Sequence, residues 1–170
     1  MEDNGAPNSW VFAKECLQSV LRLYDQALSL PGTHSEMWLD ESITHEDWKE
    51  IMMRIGRRLG GDYYWHVEPV EPREADPPQP TLGSLSDDLA DIWRELKEGL
   101  LALESDPSVD INDVVWHWRY SFEIHWARHA AGAIGALNTL CYGEFADPTR
   151  PASTRHDPGF CSIDPIDEES

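Results

Sequence analysis

Apolar residues recur at three- and four-residue intervals in four stretches of the chain, which predicts four amphipathic helices. In the first, "SWVFAKECLQSVLRLYDQALSL", Phe12, Cys16, Val20, Leu23, Ala27 and Leu30 form one stripe. Leu17, Leu21, Tyr24 and Leu28 form a second stripe beside it. Asn8 or Ser9 offers a cap at the start, and Pro31-Gly32 stops the helix. A second helix begins at Thr44, whose hydroxyl and Asp47 are spaced as a capping box. Trp48, Ile51, Met52, Ile55 and Leu59 make its apolar face. The third starts after Ser84 and carries Leu85, Leu89, Ile92, Leu96 and Leu100. The fourth runs from about Ile111 to Cys141, with Asp110 as its cap and Gly143 as its terminator.

Between the second and third helices the pattern breaks. "DYYWHV" is aromatic and expected to be extended, and "EPVEPREADPPQP" packs five prolines into a semi-rigid surface connection. Neither half of the chain alone has enough helices to cover its stripes. The expectation is therefore an all-α fold, a four-helix bundle with a long proline-rich crossover between helices two and three. Residues 1–143 form the single helical domain. Residues 144–170, acidic and with four prolines, read as an extended or disordered tail.

Composition narrows the function. Thirty-two acidic residues stand against thirteen basic ones, a formal net charge of −19. Such a surface suits neither nucleic acid nor an anionic membrane, and it attracts basic proteins. Three scattered cysteines, Cys16, Cys141 and Cys161, suggest neither a zinc knuckle nor a disulfide framework. No apolar run reaches the ~18 residues that span a bilayer, and the start has no leader pattern, so the expected location is the cytoplasm.

The candidate chemistry lies on helices three and four. On the fourth, Trp118, Phe122, His125, His129, Gly132 and Ala136 share one face of an ideal wheel, with Glu123 pointing away. Trp118, Phe122, Trp126 and Leu137 are expected to be buried. His125 and His129, one turn apart, could chelate a metal, but two ligands are too few and no general-base Glu follows the first. A buried imidazole needs partners for both nitrogens. Asp88, at the edge of the third helix's core stripe, is the better candidate partner, and Asp91 the next. Arg119 and Arg128 can pair with Asp88, Asp91 or Glu123, or bury their stems at the edge of the core. Asp88, Asp91, Arg119, Glu123, His125 and His129 thus form a structural or functional network. Asp88 and Asp91, with Asp47 and Glu50 on the second helix, also resemble the paired carboxylate halves of the all-α nucleoside-triphosphate pyrophosphohydrolases. That family holds magnesium between them. Here Asp replaces Glu at most of those places.

"SLSDDLADIWRELKEGL" followed by "VVWHWRYSFEIHWARHAAGAIGAL", with "YYWHVEP" upstream, resembles an uncharacterised bacterial family, a domain of unknown function numbered 5063, over roughly 63–140. The resemblance implies an all-α protein and no established activity. No catalytic residue and no cofactor is assigned from the sequence. The leading reading is a non-enzymatic interaction module whose acidic surface binds a basic protein, as an immunity protein binds a toxin. The alternative is a metal-dependent enzyme of the pyrophosphohydrolase type or another divalent-metal-binding bundle. Its ligands would come from His125, His129, Asp88, Asp91, Asp47 and Glu50.

Overall fold

The computed structural model describes residues 9–39, 42–59, 61–67, 79–143 and 146. Helix α1 spans Ser9–Leu28 and α2 spans His45–Leu59. Two strands follow, β1 (Tyr63–Val67) and β2 (Pro80–Ser84), then α3 (Leu85–Ser105) and α4 (Ile111–Ser121). A π-helical turn, Phe122–Trp126, joins α4 to α5 (Ala127–Tyr142) without a break. The fold is thus helical, but it is not a bundle of four helices alone. The segment read as an aromatic connection pairs with residues beyond the prolines in an antiparallel two-stranded sheet, Tyr63 opposite Ser84 and Val67 opposite Pro80. β-Branched and aromatic residues of "YYWHV" favour that pairing. Pro80 sits at a strand end, where its missing donor costs least. Most of the proline-rich crossover and nearly all of the acidic tail lie outside the described residues.

The caps explain where the helices begin. Ser84 accepts the Asp87 N–H and starts α3. Thr44 and Asp47 exchange hydrogen bonds at the entry to α2. Asp110 and Asp113 make a full capping box on α4. At the first helix Ser9 does not cap, because its buried hydroxyl has no partner among the described residues, and Asn8 lies outside them.

α1 packs on α5, α2 on α3, and α3 on both α4 and α5. Ala13, Leu17, Val20, Leu59, Leu85, Ile92, Phe122, Trp126 and Leu137 make the core. Three expected core positions face solvent instead: Leu21, Leu28 and Leu100. In α1 the buried line runs through Ala13, Leu17 and Val20, between the two stripes, because only one of its sides meets α5.

The fourth helix departs most from an ideal wheel. The Ala127 N–H reaches the Phe122 carbonyl, five residues back. Such a turn holds about one residue more than an α-turn. Every later position is therefore rotated by roughly one residue. The expected stripe His125, His129, Gly132, Ala136 becomes Trp126, Ala130, Ala133, Leu137, all buried. Trp118, before the turn, is only half-buried, and its indole N–H donates to the Leu96 carbonyl.

Candidate functional site

The rotation decides where the imidazoles go. It brings Trp126 into the core and sets His125 and His129 on the flank, half-buried, facing α3. On α3, Asp88, Asp91 and Glu95 recur at intervals of three and four residues and so share the opposing face. His129 Nδ1 lies 2.7 Å from Asp88 Oδ1, and His125 Nδ1 lies 2.8 Å from Glu95 Oε1. The remaining His129 nitrogen, Nε2, is 3.8 Å from Asp91 Oδ2. The two imidazoles meet edge to face with centroids 4.7 Å apart.

The hairpin closes this arrangement from above. Asp62, just before β1, accepts the Ser86 N–H at 2.7 Å and the Ser84 hydroxyl at 3.0 Å. Its carbonyl accepts the Leu85 N–H. These bonds clamp the sheet to the start of α3. Tyr64 then reaches Asp88 and donates its hydroxyl to Oδ2 at 2.6 Å. Its ring lies between Gly83 and Gly132, and a methyl group at either glycine would collide with it. Both glycines are small for the sake of that close approach. Asp88 is thus buried with both oxygens engaged, one by a phenol and one by an imidazole.

The electrostatics follow from these contacts. The hydrogen bond that the His129 imidazole donates to Asp88 holds it above its ordinary value, against the cost of burial. Burial, then the Asp88 bond, pushes the Tyr64 phenol up, so it stays a donor. Burial and the neighbouring carboxylates of Asp91 and Asp88 raise Asp87. A cavity of about 490 Å³ opens beside this cluster, between the hairpin and helices α3 and α5. Asp87, Asp88, His129, Tyr64, His66 and Arg128 are among the residues that line it.

Two groups of metal-binding side chains converge here: Asp91, His125 and His129, and Asp87, Asp88 and His129. In each, one donor atom per residue lies within 4.8 Å of the others. Asp47 and Glu50 belong to neither group. They are exposed on α2, where Asp47 is occupied by Thr44. Asp47 and Glu50, the other half of the resemblance to the pyrophosphohydrolases, thus share no group of converging donors with Asp88 and Asp91 among the described residues. Arg119 pairs with Glu123 at 2.9 Å on the exposed side of the helix, away from the histidines. Arg128 reaches no acid among the described residues, and its guanidinium donates to the Ile124 carbonyl. Arg94, not weighed from the sequence, pairs with Asp91 at 3.0 Å.

Sequence reasoning missed Glu95 and Tyr64. The first was within reach, because Asp88, Asp91 and Glu95 follow helical spacing. Tyr64 had no such signal, since its position depends on the hairpin. Cysteine chemistry has no footing at Cys16, whose thiol burial pushes up to about 11.

A crystal structure of protein BF1032 from Bacteroides fragilis, a structural genomics target, superposes with a TM-score of 0.65. It matches 83% of this chain and 82% of that one at 19% sequence identity, a likeness of fold. No curated protein matches the chain. The family model described as Domain of unknown function (DUF5063) matches residues 5–143. With the match covering most of its length, the chain belongs to the DUF5063 family.

Proposed function

We propose that this protein is a divalent-metal-binding helical protein whose ion is held by Asp91, His125 and His129. One observation carries the reading: each imidazole gives its Nδ1 to a carboxylate, Glu95 or Asp88, and so keeps Nε2 for an ion. Carboxylate–histidine pairs of this kind fix the tautomer and orientation of metal-binding histidines. The donor set fits. Two imidazoles and one carboxylate suit zinc and neighbouring first-row ions. Donor atoms bound to one such ion at about 2.0–2.1 Å lie roughly 3.3 Å apart. The 3.8 Å between His129 Nε2 and Asp91 Oδ2 needs only a small closure to reach that. Three protein donors leave a fourth position for water or a ligand, the arrangement of catalytic rather than structural zinc. Tyr64 and Asp88 would act at one remove, holding His129 in place. The π-helical turn supports the reading too, since such turns occur often at functional sites.

Metal analysis after exhaustive dialysis tests this. One equivalent of zinc or a similar ion should remain, and His125→Gln and His129→Gln should each lose it. A metal-free wild-type protein that does not take up added zinc with micromolar or better affinity would rule the reading out.

A second reading retains the interaction module with a basic protein partner, for which an immunity protein holding a toxin is the natural example. The net charge of −19 supports it. So does Trp38, 64% exposed and edge-on to both Trp116 and Tyr120. Exposed aromatic clusters are enriched at protein interfaces.

A further inference from the structure

The groove beside the cluster carries a negative charge that the proposed ion site does not use. Asp88 is satisfied by Tyr64 and His129, and Asp91 by Arg94. Asp87 is not. Its backbone N–H caps on Ser84, but its carboxylate has no hydrogen bond or ion pair among the described residues. It is half-buried, and desolvation, Asp91 and Asp88 disfavour its charged form, with the nearby His129 offsetting them only in part. An anion in that position gains more from an added cation than a solvated one does. Arg128, which also lines the groove, makes no ion pair with Asp87 among the described residues, and its guanidinium donates to the Ile124 carbonyl.

The walls beside Asp87 are aromatic and aliphatic. Tyr64 and His66 tilt together with ring centroids 5.3 Å apart, and Tyr63 and Leu82 line the same groove. Ring faces attract ammonium groups, and ring and leucine surfaces accept an alkyl stem. An anionic ligand would meet Asp87 and Asp88 in the lining. A neutral one would leave the Asp87 carboxylate without an ion-pair partner among the described residues. The volume of about 490 Å³ takes a small molecule or a single long side chain.

We propose that this groove is a subsite for an alkylammonium group, with the ammonium on the Asp87 carboxylate and the stem against Tyr63, Tyr64 and Leu82. The same chemistry is offered by a free alkylamine and by a lysine side chain of another protein. The chain's net charge of −19 steers either toward it. The inference goes beyond the metal reading and does not depend on it.

The test uses the full chain, stripped of metal by chelator, with amide chemical shifts of 63–66 and 81–84 followed during titration. n-Butylamine and N-acetyl-lysine methylamide are the two probes. n-Butanol and the Nζ-acetylated lysine derivative are their uncharged controls. Saturable shifts with an amine, absent with its control, are expected. A response to both amines assigns the subsite to small amines, and a response to the lysine derivative alone assigns it to a polypeptide side chain. Asp87→Asn should weaken binding at least tenfold, while Asp87→Glu restores it and confirms that the helix still forms. His125→Gln should leave the affinity unchanged, which separates this result from any failure of the ion site. Equal binding of amines and controls, no saturable shift with either amine, or full affinity in Asp87→Asn overturns the proposal.

Discussion

Asp88 on α3 and His129 on α5 meet at 2.7 Å across the helix interface, and Tyr64 from the hairpin completes the contact from the other side. Three elements far apart in sequence therefore share one buried carboxylate. Asp88→Ala removes it and leaves a phenol and an imidazole without their acceptor. Each orphaned group costs about 1–3 kcal/mol. A loss of at least about 2 kcal/mol is expected in urea melts, and Tyr64→Phe should cost only about 1 kcal/mol. Equal, negligible losses in both would show that the network contributes nothing to stability.

The two glycines of α5 should respond in opposite ways to alanine. Gly135 has open space around it, so Gly135→Ala should stabilise the helix by up to about 1 kcal/mol. A methyl at Gly132 would collide with the Tyr64 hydroxyl. Gly132→Ala should therefore destabilise despite the better helix propensity, and should shift the Tyr64 ring resonances. Thermal melts of the pair, read side by side, check this.

Trp126 is 1% exposed and stacks edge-on with Phe122. Trp126→Ala should cost about 3–5 kcal/mol, as large core truncations do. Ile124, 52% exposed in the same π-helical turn, should tolerate Ala within about 0.5 kcal/mol. Similar losses at both positions would contradict the rotated register.

His117 gives the pH dependence its sign. Both ring nitrogens are buried without a partner among the described residues, and burial holds the imidazole below its ordinary value, with Glu95 opposing in part. The unfolded chain then binds a proton more readily than the folded one. The stability that neutral His117 contributes is present above the unfolded value near 6.5 and is lost as pH falls through the lower folded value. His117→Phe removes two unsatisfied polar atoms and should be neutral or stabilising. It should also flatten the acid limb of a stability–pH curve measured between pH 7 and 5. An unchanged acid limb in the variant would assign that loss to other groups.

Much of this was written locally. Ser84, Thr44 and Asp110 cap their helices because a side-chain oxygen and a backbone N–H two or three residues on need nothing else from the fold. The apolar periodicity of α2 and α3 and the separation of Glu123 from the histidines are equally local. The hairpin was not legible, because its strands pair across the proline-rich segment and neither strand can be recognised without the other. Nor was the π-helical turn. Hydrophobic spacing assumes a constant rotation per residue; the burial of Trp126 was expected, but only packing against α1 and α3 decides that His125 does not share it. That extra residue of rotation leaves His125 and His129 at the edge of the core facing Glu95, Asp88 and Asp91. Helical spacing alone puts Asp88, Asp91 and Glu95 on one face of α3, and His125 and His129 one turn apart. The tertiary structure decided that they meet half-buried beside a groove, because the large indole displaced the imidazoles from the interior.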